Sequence, residues 1–270
     1  MKRHNTLMLL TGMTLFGCAS AFGQTAPPVA SIPDLSGIWG HSYFHFEPPS
    51  SGPGPVLTKL RRPDGTLILI PIVGDYSNPI LGPQAVEVVK KRGEMELSGT
   101  VPPNPYNQCR PEPTPFTLSI QLGMQMIQQK DEVILLYLSD DQVRRVPMNV
   151  PHSAHSTPTW QGESVGHYEG DTLVIDTIGL QTHNSYLDWF RTPHSEKLHV
   201  VERFKLAADA KTLEALVKVD DSDTFNEPLY MMRRWRKVPN PLQEMVCAEN
   251  NFDRFGKNLF PVPHADTPDF

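Results

Sequence analysis

The sequence predicts a mainly β fold, an antiparallel meander closed into a lipocalin-like β-barrel, with a β-sandwich as the alternative. Strand-like runs joined by short turns fill the second half of the chain, and one segment alone has clear helical spacing. Because helices do not alternate with the strands, the pattern excludes a parallel α/β sheet. We favour the barrel, since a closed meander of about eight to ten strands can hold one small ligand.

The chain ahead of the meander is rich in proline. A first candidate strand at residues 34–46 precedes a Pro-rich segment at residues 47–115. Within that segment, apolar spacing predicts one helix over residues 83–97, and a proline stands at its start, where a missing N–H is tolerated. We expect a single domain over residues 34–270.

The strand meander is expected over residues 116–250. It contains three hairpins, and Glu169-Gly170-Asp171 in the second of them is favourable turn chemistry. The hairpin strands cover residues 124–129 and 133–138, 164–168 and 173–179, and 198–206 and 213–220. Further strands at residues 143–148, 230–237 and 243–249 complete the set.

Residues 1–23 show the succession of regions that is typical of an export signal. A basic start precedes an apolar run at residues 7–16, and small residues follow it. That run is shorter than the ~20 residues that a membrane-spanning helix needs. We therefore expect a periplasmic or secreted protein that begins with a flexible tail at residues 24–33. Cys18 stands in a lipoprotein-like box, so a lipid anchor there is the alternative to simple cleavage.

Net charge limits the classes of partner that the sequence predicts, and cysteine content bears on a disulfide bond. The formal net charge of −6 argues against nucleic acid, because nucleic-acid binding rests on a basic surface. No segment after the export signal is expected to cross a membrane. Cleavage of the signal would leave Cys109 and Cys247, and an even count in an oxidising compartment favours a disulfide bond between them. Two unpaired thiols are the alternative.

Two carboxylates fall among the apolar residues of the predicted strands. Strand alternation directs Glu202 toward the core and, less clearly, does the same for Asp176. A buried carboxylate must be paired, hydrogen-bonded or raised in pKa, so each is a candidate catalytic acid or base. The alternatives are an ion pair of Glu202 with Arg144 or Arg233, and an outward or turn-capping Asp176.

Histidines supply further acid–base candidates, because an imidazole titrates near neutral pH. His194 and Asp188 share one loop, and we expect Asp188 to orient a histidine there. His152 follows a predicted strand and is expected to move protons at the mouth of the barrel. With His155 it could instead belong to a metal site, although no nearby residue completes the ligand set.

Ligand-lining candidates come from the first strand and from the loops. On the first strand, His45 shares a face with Trp39, His41 and Tyr43, which makes that face aromatic and able to form hydrogen bonds. The candidates are Trp39, His41, Tyr43, His155, Tyr186 and Trp189.

Two motifs resemble those of a large family of exported proteins from Gram-negative bacteria. The first, SxGxxEGDTLVxDT, covers residues 164–177, and the second, LD…PHSExLHVxER, covers residues 187–203. The likeness extends over most of residues 34–250, although residues 149–151 depart from the more Asp-Gly-Arg-like pattern of the family. The resemblance implies export and a shared fold, and it implies no particular reaction.

We therefore expect an exported barrel that binds a small, largely apolar organic molecule and performs cofactor-free acid–base chemistry of the lyase, dehydratase or isomerase type. Export separates the chain from cytosolic nucleotides, and no Walker or dinucleotide-binding motif occurs in the sequence. A non-catalytic periplasmic carrier and a metal-dependent enzyme using His152 and His155 are the alternatives.

Overall fold

Nine antiparallel strands form one sheet within the residues that a computed structural model of the chain describes. The structure describes residues 32–40, 45–100, 102–103, 105, 108–120 and 123–239. These residues belong to one compact unit. Within the described ranges, no helix has the length and apolar character needed to cross a membrane.

The secondary structure follows the predicted order. The strands are β1 (Gly37–Gly40), β2 (Met124–Gln128), β3 (Glu132–Tyr137), β4 (Val143–Pro147), β5 (Glu163–Glu169), β6 (Thr172–Ile178), β7 (His199–Leu206), β8 (Thr212–Asp220) and β9 (Leu229–Val238). Helix α1 (Pro83–Leu97) has the predicted bounds, and the three predicted hairpins are confirmed. The predicted strand at residues 243–249 lies outside the described residues, as do His41 and Tyr43.

The strands follow the order β4-β3-β2-β1-β9-β8-β7-β6-β5, so β4 and β5 are the two edges. These edges meet at one isolated parallel bridge between Met148 and Gly166, where the N–H of Asn149 donates to the Gly166 carbonyl at 2.7 Å. A Cβ on Gly166 would lie 2.8 Å from the Met148 sulfur, so a larger residue there would require the Met148 side chain to shift. The mainly β meander is confirmed. Barrel closure is not confirmed, because within the described ranges no ladder joins the two edges. The strands described there form one sheet rather than the two of a sandwich.

The inward faces of the strands pack on one another and fill the interior. Trp39 is fully buried there, and its indole N–H donates to the Leu35 carbonyl at 2.9 Å. Phe204 and Trp235 stack with their ring centroids 6.0 Å apart. Trp39 is therefore a core residue, and its predicted role in lining a ligand site is wrong, because close packing leaves its ring no exposed face.

The long segment between β1 and β2 covers one end of the sheet. It is joined to the β8–β9 connection where the Gly82 N–H donates to the Thr224 carbonyl at 2.8 Å. Helix α1 is joined to the β6–β7 loop by an ion pair of 3.2 Å between Glu96 and Arg191. The end that we expected to be an open mouth is thus covered by polypeptide.

Candidate functional site

Glu202 lies inside the sheet, as its strand alternation predicts, and forms an ion pair with Arg144. Both side chains are almost fully buried. Arg144 Nη1 donates to Glu202 Oε1 at 2.9 Å, and Nη2 forms a second, shorter bond to the same carboxylate. Arg144 also donates to Ser164 Oγ at 2.9 Å and to Thr177 Oγ1 at 2.6 Å. Since both carboxylate oxygens are bound to a guanidinium away from solvent, we assign Glu202 to the structure of the interior rather than to catalysis.

Asp176 points outward, so its predicted inward orientation is wrong. The register of β6 and β7 pairs Ile175 with Glu202, and cross-strand partners share a face of the sheet. Thr177, which contacts Arg144, belongs to the same inward set. Asp176 is therefore directed to the outer face, where its side chain is 31% exposed.

On that outer face Asp176 binds two histidines, and we call the three residues the Asp176 cluster. His152 Nε2 lies 2.8 Å from Oδ1, and His199 Nε2 lies 2.9 Å from Oδ2. Because an ionised carboxylate only accepts, each Nε2 carries a proton, and each Nδ1 of a neutral ring is left without one. The cluster joins two predicted catalytic residues. His199 was not predicted, and its outward position on the strand beside Asp176 becomes visible only when the register is known.

The hydrogen bonds of the Asp176 cluster shift its pKa values in opposite directions. The hydrogen bond that His199 donates to Asp176 is the main cause that raises the pKa of His199. Burial pushes the pKa of Asp176 upward, but the hydrogen bonds from His199 and His152 outweigh it and lower that pKa. His152 Nδ1 is buried without a hydrogen bond among the described residues, 3.7 Å from Glu163 Oε1.

Asp188 and His194 do not meet, so the prediction that Asp188 orients a histidine in their loop is wrong. Asp188 instead accepts from the Phe190 N–H at 2.9 Å and from the Thr192 hydroxyl at 2.7 Å. Burial is the main cause that raises the pKa of Asp188 to about 6. The carboxylate thus organises its own turn, as short Asp side chains often do.

His194 has a serine as its partner. Its Nδ1 lies 3.0 Å from the Ser195 carbonyl, which can only accept, so Nδ1 carries the proton. Its Nε2 then accepts from the Ser185 hydroxyl at 2.7 Å. Burial lowers the pKa of His194, and Ser185 is also buried. This pair fixes the two ends of the loop together.

Tyr186 and Trp189, predicted to line a ligand site, hold the loop against the segment that precedes β2. The Tyr186 hydroxyl accepts from Arg92 Nη2 at 3.0 Å. The Trp189 ring stands edge-on to Phe116, with a centroid distance of 5.3 Å. Both rings are buried by these contacts, so neither is free to line an open site.

His155 is exposed on the connection between β4 and β5 and lines a surface groove of about 670 Å³. The described residues contain no group of three or more His, Cys, Asp or Glu side chains arranged to hold a metal ion. His152 and His155 are thus not part of such a set within the described ranges.

An apolar pocket of about 590 Å³ lies beside residues 45–48, which follow β1 in the chain. Its lining includes His45, Phe46, Leu57, Leu67, Leu69 and Phe190. The His45 ring stacks on Phe190 with their ring centroids 5.0 Å apart. The backbone carbonyl of His45 accepts a hydrogen bond from Arg233 at 2.6 Å. Burial, followed by the charge of Arg233, lowers the pKa of His45 to about 4, so the ring is neutral near pH 7. We call this site the His45 pocket.

Comparison with known proteins returned no match to a protein-family model, to a curated protein or to a solved structure. The resemblance to an exported family therefore stays a prediction that rests on the two motifs. Residues 1–31, including Cys18, lie outside the described residues, and so does Cys247. The export signal, the lipid anchor and the Cys109–Cys247 bond likewise stay predictions.

Proposed function

We propose that this chain is an exported, barrel-like protein that binds a small, largely apolar organic molecule in the His45 pocket. The observation that carries the proposal is a neutral imidazole whose ring nitrogens form no hydrogen bond with the described residues, set in a mostly apolar pocket. Small-molecule sites are typically mostly apolar clefts of roughly 300–1,000 Å³ with a few polar groups.

The barrel-like part of the proposal is supported by the close approach of β4 and β5 at Gly166. It differs from a lipocalin in the place of the ligand, because the interior is filled by packed side chains and by the Arg144–Glu202 pair. The predicted export signal and the two motifs that resemble those of an exported family support a periplasmic or secreted location.

His45 gives the pocket its chemical preference. A neutral imidazole can donate from one nitrogen and accept at the other, so it can meet a hydroxyl, a carbonyl or a carboxyl group. Phe190 stacks on one side of the ring, and aliphatic side chains such as Leu57 and Leu67 line the pocket around it. The expected ligand is therefore an apolar body that carries one hydrogen-bonding group.

Binding of the neutral apolar dye Nile red tests this proposal. We expect fluorescence enhancement with the parent protein and at least about tenfold weaker binding by Leu67→Trp, because the indole would occupy the pocket, a loss of ~1.4 kcal/mol or more. Leu97→Trp is the matched control, since Leu97 is 60% exposed at the end of α1 and does not line the pocket. Equal binding by Leu67→Trp and its control would refute the pocket.

Acid–base catalysis at the Asp176 cluster is a second candidate function. It is favoured by the geometry of one carboxylate that orients two imidazoles, with the His199 side chain 41% exposed to solvent. An Asp–His pair of this kind holds the imidazole in one tautomer and leaves its other nitrogen to take a proton. Elimination, hydration or isomerisation of a substrate on this face would use His199 Nδ1 as the base.

Removal of the carboxylate charge tests this cluster. We expect Asp176→Asn to lower the pKa of His199 toward ~6.5, its ordinary value, because the amide carries no charge to stabilise the imidazolium. Lys218 and Asp220 also act on His199 and remain in place in the variant. Histidine NMR titrations measure the shift, with the exposed turn variant Asp209→Asn as control. An unchanged His199 pKa in Asp176→Asn would contradict the pairing.

A further inference from the structure

A hairpin that contributes to the His45 pocket is basic in a chain whose net charge is −6. The hairpin of residues 57–70 contributes the pocket residues Leu57, Thr66, Leu67 and Leu69 and also carries three basic residues. These are Lys59, Arg61 and Arg62. The one acidic residue of the hairpin, Asp64, accepts from the Thr66 N–H and is occupied in the turn.

Arg61 is placed at the pocket by the register of the hairpin. It pairs with Leu67 across the two strands, and antiparallel partners direct their side chains to the same face. Leu67 lines the pocket, so Arg61 is on the pocket side. Arg61 and Arg62 are both exposed, and within the described part of the chain neither guanidinium has an ion pair or a hydrogen bond.

The same hairpin exposes apolar surface beside these charges. Ile70 is 79% exposed and Leu69, which lines the pocket, is 39% exposed. The carboxylate of the pocket lining, Glu47, forms an ion pair with Arg234. Basic and apolar groups thus meet at one entrance, and the complementary molecule has an anionic head and an apolar chain.

We propose that the ligand of the His45 pocket is a free, single-chain anionic amphiphile of the fatty-acid class. Its chain would enter between Leu67 and Phe190, and its carboxylate would meet Arg61 on the pocket side, while Arg62 adds positive charge from the next position of the hairpin. Arginine pairs well with carboxylates because its fork of N–H donors matches their two oxygens. This inference rests on the proposed function, since it names the ligand class of the same pocket.

Competition between decanoate and decanol for bound Nile red tests the head group, because the two molecules differ chiefly in charge. We expect decanoate to displace the dye at about tenfold lower concentration, with a preference that weakens as salt is added. The double variant R61Q/R62Q loses this preference and keeps its affinity for Nile red and decanol. The matched control K90Q/K91Q, on α1, removes the same charge away from the pocket and keeps the preference.

The outcomes separate this inference from the proposed function. If Nile red binds in the pocket but decanoate has no advantage over decanol, or keeps it in R61Q/R62Q, the ligand class is wrong and the pocket stands. If Leu67→Trp binds the dye as well as Leu97→Trp does, the pocket itself is wrong. Binding to phosphatidylglycerol vesicles without displacement of the dye by free decanoate would indicate docking on a membrane and would also overturn the inference.

Discussion

Glu202→Leu is expected to lower the free energy of unfolding by about 3–5 kcal/mol, because it leaves the Arg144 guanidinium buried without its counter-charge. The double variant Arg144→Met/Glu202→Leu is expected to recover most of this loss, since neither charge then has to be desolvated. Urea denaturation of the single and double variants measures both effects. A coupling between the sites also distinguishes a lost ion pair from a simple packing defect.

The exposed pair Arg145–Glu132 is a matched control for this substitution. It joins β4 to β3, and Arg145 follows Arg144 in β4 on the opposite face of the strand, with its side chain 70% exposed. Solvent screens such pairs, so we expect Glu132→Leu to leave stability close to that of the parent. If Glu202→Leu were as mild as Glu132→Leu, or if the double variant were no better than the single one, the assigned role of the buried pair would be contradicted.

Glu112→Gln is expected to raise stability at pH 8 and to remove part of the pH dependence of folding. Glu112 is buried, and its Oε2 accepts from Ser139 at 3.0 Å and from Gln142 at 2.7 Å. Burial is the main cause that raises its pKa from 4.5 to about 7, against the effect of these hydrogen bonds. The folded protein therefore binds this proton more tightly than the unfolded chain does.

The sign of the pH effect follows from that difference. The contribution of Glu112 to stability is greatest below pH 4.5, falls as the pH rises toward 7, and is constant above that range. The difference between the pKa values of Glu112 in the folded and unfolded states corresponds to about 3 kcal/mol of stability. Any cost of placing the amide N–H groups of Gln in the buried site must be subtracted from this gain. Subtraction of the parent curve also removes the contribution of Asp188, which has a raised pKa in both proteins.

Urea denaturation between pH 4 and pH 8 measures this prediction, with Glu94→Gln on the exposed side of α1 as the matched control. We expect the Glu112→Gln and parent curves to diverge as the pH rises, while the Glu94→Gln and parent curves stay parallel. A constant difference between Glu112→Gln and the parent across this range would show that Glu112 has an ordinary pKa.

Local pattern was enough to predict the three hairpins, the helix and the inward direction of Glu202. Turn residues mark the hairpins, and a period of two in β7 places Glu202 among apolar neighbours. Asp176 shows where that reasoning fails. Leu173, Val174 and Ile175 are all buried, so the alternation of β6 is ambiguous, and only its register with β7 decides which face carries the carboxylate.

The candidate sites depended on contacts between distant parts of the chain. His45 and Phe190 form one stacked pair although more than a hundred residues separate them, and no local pattern signals such a contact. The prediction for the loop residue Asp188 was wrong for the opposite reason. Asp188 satisfies its hydrogen bonds with Thr192, four residues away, before it can reach a histidine.

Native mass spectrometry of the protein purified from its own host tests the His45 pocket most directly. We expect the parent protein and Leu97→Trp to carry a small organic molecule that is released on collisional activation, and Leu67→Trp to lack it because the new ring fills the pocket. A bound molecule that persists in Leu67→Trp, or a parent protein that carries no molecule and takes up neither Nile red nor decanoate, would contradict ligand binding at this site.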